Sequence, residues 1–400
     1  MTRTYIYLDH AATTPMRPEV FEAMRPYFEE RFGNPSSVHG QGRASRTALE
    51  EARARLAAAI GARRRDIVFT GGGTEADNLA VLGAWRAAAR GAAERGETPP
   101  AVACSAVEHS AVLKSAEQAS REGAVLIVLA VDANGTVQIE ALDEALSAGP
   151  AVVSVMWGNN EVGTLQPVYE IASRCDAAGA VFHTDAVQAL GKVRVRVDEC
   201  GCHLLTMSSH KLGGPQGVGA LYIRPGTEID PVIHGGGQEN GIRSGTHNVA
   251  GAVGMAVAAE LAVAELEDEA ARIRRLRDRL QAGLLERIDG LEVHAGDCER
   301  LPQILNVGVR GIQADAALLA MDAEGLCVST GSACKSGSFK PSHVLSAMGR
   351  FADGIDAGSD EELPAVIRFS LGRTSDESDV DAVIARFPTA VARLRALALT

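Results

Sequence analysis

The chain has 400 residues, more than one hydrophobic core comfortably supports, so two domains, or one large domain with a satellite, are expected. With 46% hydrophobic residues and a mean hydropathy of +0.02 it can bury a substantial core, while a net charge of -12 opposes attraction to phosphate backbones and anionic lipids. Aromatics, at 4%, are too few for a base-stacking surface, which leaves small molecules or other proteins as partners, with no direct nucleic-acid or membrane contact.

In chain order, the opening MTRTYIYLDHAATTP has no long apolar stretch, and no later run approaches the roughly 18 apolar residues of a membrane span, which predicts a soluble, cytoplasmic protein. The stretch GRASRTALEEARARLAAAIG reads as an amphipathic helix closed by Gly61. Short apolar runs then alternate with helical patterns: 66–70, 101–107, 124–131, 151–157, 180–185, 203–209 and 219–224. Such βα alternation predicts an α/β fold whose mainly parallel sheet is covered by helices on both faces. A glycine loop, HGGGQENGIRSGTH, precedes a long Ala-rich helical region from about 248 to 288. Beyond it the pattern becomes a smaller α+β set, with strands in LEVHAG, PQILNVGV, LCVST and VIRFSLG and helices near 313–323, near 342–349 and from about 376. The predicted organisation is a large domain at 15–260 and a small α+β domain formed by 1–14 and 261–400. The stretch 349–364 reads as an acidic loop.

Ligands in parallel sheets sit at the carboxyl ends of the strands. Thr74, His109, Asn160, Asp185, Gln188, Ser208, His210 and Lys211 all fall where the apolar runs end, and they are expected to converge on one crevice. Lys211 follows a strand and precedes a Gly/Pro-rich turn; an isolated Lys is ordinarily a solvated loop residue, and its company changes that reading. Asp185 ends an apolar run, where an unpaired carboxylate is costly and a pyridinium N–H is a natural partner, although it could equally cap the next helix. A Lys able to form a Schiff base and an Asp able to hold a ring nitrogen protonated are what a protein supplies to pyridoxal phosphate.

FTGGGTEADNLA places three glycines, Gly73 last among them, and Thr74 between a strand and a helix start, a setting for one phosphate rather than a nucleotide. His109 could lie against an aromatic ring or cap a helix. Gln188 and Asn160 offer neutral donors for a phenolic oxygen. Arg368, inside an apolar strand, reads as a clamp on a substrate carboxylate or as half of an internal salt bridge. The seven cysteines lack disulfide-framework spacing, and Cys200, Cys202 and His203 lack a second pair for zinc. Cys334 differs from the rest: it lies in a Gly/Ser-rich segment beside Lys335, where a thiol can be nucleophilic.

YLDHAATTP, FGNPSSVHG, GGGTEADNLA, EHSAVL, NNEVGTLQPV, HTDAVQALGK, SSHKLGGPQGVGALY, HGGGQENGIRSGT, STGSAC and IRFSLGRTS together closely resemble the NifS/IscS-like cysteine desulfurases, class V aminotransferases of the fold-type I pyridoxal phosphate enzymes. The match runs in order over nearly the whole chain. The resemblance implies that Lys211 bonds the cofactor aldehyde, Asp185 meets the pyridine nitrogen, Gln188 the ring oxygen, and His109 stacks on the ring. It further implies that Gly73, Thr74, Ser208 and His210 hold the phosphate, with Thr246 reaching across from the partner of a homodimer. Asn160 and Arg368 would bind the carboxylate of L-cysteine, and Cys334 would take its sulfur as a persulfide, releasing L-alanine. The sulfur acceptor would be a protein such as an iron–sulfur scaffold or a tRNA thiolase, and Cys334 could ligate a transient iron–sulfur cluster as its one metal role. The competing readings are a selenocysteine lyase or another enzyme of the same fold, and a catalytically idle docking module. Trp157 where many relatives have His, GGG in the phosphate loop where SGA is common, the 349–364 insertion and the missing extended C-terminal tail depart from the pattern.

Overall fold

The computed structural model describes residues 5–330, 342–350 and 364–398. Cys334 and Lys335 lie outside the described residues, as does most of the acidic stretch at 349–364.

Among the described residues twelve strands run in chain order as β1 (Ile6–Tyr7), β2 (Ile67–Thr70), β3 (Ala101–Ser105), β4 (Leu126–Leu129), β5 (Pro150–Ser154), β6 (Val181–Asp185), β7 (Leu204–Ser208), β8 (Gly219–Ile223), β9 (Leu291–Val293), β10 (Ile304–Val309), β11 (Leu326–Cys327) and β12 (Ala365–Ser370). Seven of them form the main sheet, in the order β2-β8-β7-β6-β5-β3-β4. β8 is antiparallel to both neighbours, and the other pairings are parallel. Because β2 and β7 both oppose β8, β2 points the same way as the parallel strands. The ends of β2, β3, β5, β6 and β7 therefore gather at one edge.

Successive side chains of a strand face opposite sides of its sheet, and this sheet is apolar on both. On one side Val68, Val102, Cys104, Val152, Leu204 and Leu221 pack against the helical stretch that begins at Gly73 and the helix Ser110–Arg121. On the other, Ile67, Phe69, Ala103, Val153, Phe182 and Leu205 pack under the helices Gly40–Ile60, Val168–Ala178 and Val249–Ala264. Gly61 closes the first of these at φ 74°, a left-handed cap that suits glycine.

The Ala-rich region expected from 248 to 288 is two helices, Val249–Ala264 and Leu266–Arg287, bent by 73°. At the break, Glu265 takes both ends of the Arg17 guanidinium at 2.9 and 2.8 Å. The first helix is apolar apart from Glu260 and sits in the main core, whereas the second presents Ile273, Leu276, Leu280 and Leu284 to a separate core. Among the described residues no single helix is long and apolar enough to cross a membrane.

That second core is built on the antiparallel sheet β12-β10-β9 and closed by the helix Glu377–Ala398, with Phe369 edge-on to Phe387 at 5.5 Å. β1 pairs in parallel with β11, which places Leu8 in this core although it belongs to the N-terminus. The strand expected over LCVST is only the two residues of β11.

A buried ion pair ties the glycine loop to the main sheet. Arg53 bonds Glu239 at 2.5 and 2.8 Å, and Glu239 also accepts the Phe69 amide at 3.1 Å and meets His247 at 3.1 Å. Glu239 and Asn240 both have positive φ, 49° and 57°, a strain the pairing holds in place. Burial would raise the Glu239 pKa, but its bonds to His247, Arg53 and the Phe69 amide outweigh this and hold it below the ordinary value. Arg53→Met should cost about 3–5 kcal/mol in urea unfolding at neutral pH by stranding Glu239. Because a depressed carboxyl stabilises above its unfolded pKa and loses that effect as pH falls through the folded one, the gap to wild type should narrow in acid. An equal gap at pH 7 and in acid would rule out the ionic origin.

Candidate active site

At the gathered strand ends a cavity of about 700 Å³ is lined by Gly71, Gly72, Gly73, Thr74, Ser208 and His210. Gly72 has φ 154°, a conformation side chains rarely adopt, and turns the chain so that the helix Gly73–Asn78 starts at the cavity wall. That helix runs through one wider turn, Leu79–Gly83, into Ala84–Glu94. Its first amide groups and the Thr74 and Ser208 hydroxyls present donors to an anion. Gly219 makes the cradle close: a Cβ there would lie 2.5 Å from the Gly72 carbonyl carbon. His210 bonds Thr13 through Nδ1 at 3.1 Å, and burial, then the nearby Lys211 charge, lower its pKa to about 4, so it is neutral at pH 7.

Lys211 follows β7 in a short turn and donates to the Ala11 and Ala12 carbonyls at 2.6 and 2.5 Å. Asp185 is buried at the end of β6 and accepts the Val187 amide at 2.8 Å, so it does pin the turn that follows. Burial raises its pKa, while His109, the Val187 amide and Lys211 oppose the rise. His109 caps the helix Ser110–Arg121, its Nδ1 accepting the Ala111 amide at 3.1 Å, so the capping alternative holds for that nitrogen and Nε2 is left to carry the proton. Gln188 is buried and donates to the Ala11 carbonyl at 2.9 Å.

Arg368 is buried, donating to Asp9 at 2.8 Å and to the Asn160 carbonyl at 2.8 Å. The internal ion pair is thus real, and its partner comes from the N-terminal segment. Thr246 is exposed on the glycine loop and does not line the cavity of its own subunit; Ile233, Ile242 and Arg243 of that loop do, with Arg243 paired to Glu75 at 2.7 Å. Among the described residues no group of His, Cys, Asp and Glu is placed to hold a metal, Cys200, Cys202 and His203 included.

Two sets of residues escaped the reading of the sequence. The first is the N-terminal segment, where Asp9, Ala11, Ala12 and Thr13 contact Arg368, Lys211 and His210; the motif DHAATTP was noted without a role. The second is a set of buried polar groups beneath Asp185, namely Asp77, Glu108 and His183. Asp77 falls one helical turn after Gly73, and His183 two residues before Asp185 on the same strand face, spacings that could have pointed to both.

The family model for class-V aminotransferases matches residues 6–383. The chain is 43% identical to the cysteine desulfurase IscS of Dictyoglomus turgidum, over 98% of this chain and 96% of that protein. It is 46% identical to the IscS-like cysteine desulfurase of Mycobacterium tuberculosis, over 98% of each. A solved structure described as a NifS-like protein superposes with a TM-score of 0.86 at 33% identity, covering 98% of this chain and all of that one. The chain therefore belongs to the class-V aminotransferase family. Within it the chain is a cysteine desulfurase, and the cofactor of these enzymes is pyridoxal 5'-phosphate.

The residues present fit that cofactor. A dianionic phosphate matches the neutral donors of the cradle, which Gly72 keeps open, since a Cβ there would meet nothing within 4 Å. The Lys211 amine and the buried Asp185 carboxyl lie at the ends of adjacent parallel strands. Gly219→Ala should push on Gly72 and weaken cofactor retention by about tenfold or more in equilibrium dialysis, a loss of about 1.4 kcal/mol per factor of ten, with the circular dichroism spectrum intact. Unchanged retention would mean that the cradle does not depend on this close approach.

Proposed function

We propose that the chain converts L-cysteine to L-alanine and keeps the sulfur as a persulfide on Cys334. The observation that carries this reading is the meeting of Lys211, Asp185 and the glycine cradle at one strand edge, in a chain similar to cysteine desulfurases over 98% of its length. When bound, pyridoxal phosphate supplies an electron sink for negative charge at the substrate Cα.

The chain's own residues have distinct tasks. Gly73, Thr74, Ser208 and His210 would hold the phosphate, Asp185 would keep the ring nitrogen protonated, Gln188 would meet the ring oxygen, and His109 would lie against the ring. Lys211, held among the Ala11 and Ala12 carbonyls, would hold the cofactor aldehyde and would serve as the base that moves the substrate Cα proton. Arg368 and Asn160 orient the substrate carboxylate, with Asp9 fixing the guanidinium. Cys334 attacks the substrate sulfur; the Cβ–S bond breaks, a proton takes the place of sulfur on carbon, and the new S–S bond leaves the oxidation balance closed without another reactant.

The large domain at 15–260 supplies the cradle, and the small domain, 1–14 with 261–400, carries Cys334. Thr246 completes the phosphate site of the partner subunit in a homodimer, for which its exposed loop position is suited. The acceptor is a protein such as an iron–sulfur scaffold or a tRNA thiolase, and the setting is the cytoplasm, in keeping with six described cysteines that are all free.

Purified protein should be yellow, and adding L-cysteine with a reductant should release alanine and sulfide in equal amounts. Cys334→Ser should keep the colour and lose both products. Undiminished desulfuration by that variant would favour the selenocysteine lyase reading, and a colourless protein that does not take up the cofactor would overturn the assignment of Lys211.

A further inference from the structure

Three carboxyl groups lie buried close together at the strand edge, and the reaction above uses one of them. Asp77 is 1% exposed and Glu108 fully buried, each with one carboxyl oxygen that meets no hydrogen-bond partner among the described residues. Glu108 has a local task, accepting the Met156 amide at 2.6 Å. Asp77 has none of that kind, and it sits on the very helix whose first turn forms the cradle.

Asp77 faces the strands that carry Asp185. His183 and Asp185 share a face of β6, and Asp185 stands opposite Thr206 of β7. Asp77 Oδ1 is 3.7 Å from His183 Nε2, and the Thr206 hydroxyl lies near enough to Asp77 to pull its pKa down. His183, itself fully buried, lies 3.0 Å from Thr206 Oγ1 through Nε2 and 2.8 Å from Ser154 Oγ through Nδ1. Thr206, His183 and Ser154 thus form a hydrogen-bonded chain in the sheet, and Asp77 abuts it from the cradle helix at 3.7 Å.

A proton on Asp77 satisfies every member of it. Asp77 then donates to Thr206 Oγ1, the Thr206 hydroxyl donates to His183 Nε2, and His183 Nδ1–H donates to Ser154 Oγ. An ionised Asp77 would instead be a second buried anion beside Asp185, with a neutral imidazole as its nearest nitrogen, an arrangement that costs several kcal/mol. Burial lowers the His183 pKa to about 3, and burial, then the charge of Asp185, push the Asp77 pKa well up against the opposing pull of the Thr206 hydroxyl. Asp185 has His109 and Lys211 near it and is the member of the pair that ionises.

We propose that Asp77 is a positioning residue for Asp185: a proton-bearing carboxyl that braces the cradle helix against the Asp185 strand and keeps the negative charge on Asp185 alone. The inference rests on the reading that Asp185 meets the ring nitrogen. One helix then fixes both ends of the cofactor, the phosphate through Gly73 and Thr74 and the nitrogen through Asp77.

Difference infrared spectroscopy of the full-length protein at pH 7, with and without cofactor, tests the proton directly, because a protonated carboxyl absorbs apart from a carboxylate. The protonated-acid band should fall in Asp77→Asn, independently of the part lost in Glu108→Gln. Asp77→Ala should weaken cofactor retention by roughly tenfold, the scale of a lost outer partner, and Asp77→Asn, which still donates to Thr206, should restore most of it. The pH titration of the bound-cofactor absorbance, to which Asp185, Glu108, His109, His183 and Lys211 are all close, should be that of wild type in Asp77→Asn and displaced in Asp185→Asn. An acid band unaffected by Asp77→Asn, or a displaced titration in that variant, overturns the proposal. A wild-type titration in Asp185→Asn overturns the ring-nitrogen reading instead, and the infrared result stands apart from it.

Discussion

The constraint on which the rest of the structure depends is the burial of the Asp185 carboxyl at the carboxyl end of β6. A carboxylate in that position is tolerable when cationic groups and an amide hold it and when its carboxyl neighbours are neutral. Lys211, just beyond the end of the next strand, and the Val187 amide, at 2.8 Å, supply the first condition. A protonated Asp77 against the uncharged Thr206–His183–Ser154 chain supplies the second.

The parallel sheet makes this arrangement possible. Five strands deliver their ends to one edge, so Gly73 and His210 line one cavity although 137 positions of chain separate them, and Lys211 follows His210 directly. β8, antiparallel between β2 and β7, is what brings the glycine turn after β2 beside Ser208. Its Gly219 seals the contact, since the backbone of Gly72 passes too close for any side chain.

The second core contributes by bringing the N-terminal segment back. Leu8 is buried among Leu305, Ile367 and Phe369, and this anchors the following residues where Asp9 reaches Arg368 and the Ala11 carbonyl reaches Lys211 and Gln188. The break at Glu265, pinned by Arg17, lets one apolar helix serve the main core and an amphipathic one serve the second. A site between the two cores can therefore draw polar groups from both.

The sequence by itself determined the alternation of apolar strands and helices, the left-handed cap at Gly61, the glycine turn before the Gly73 helix and the placement of Lys211 and Asp185 at strand ends. All of these are local signals, legible because periodicity and turn chemistry act over a few residues. It also showed Arg368 as a charge needing a reason, but not which reason. The tertiary structure alone decided that Arg368 pairs with Asp9, 359 positions away, and that Lys211 donates to Ala11, 200 positions away. It alone decided that the helix from 248 breaks at Glu265, and that Asp77 meets Thr206 and His183. Such contacts are set by strand order and by which face of the pleat packs against which helix, and no window of neighbouring residues carries that information.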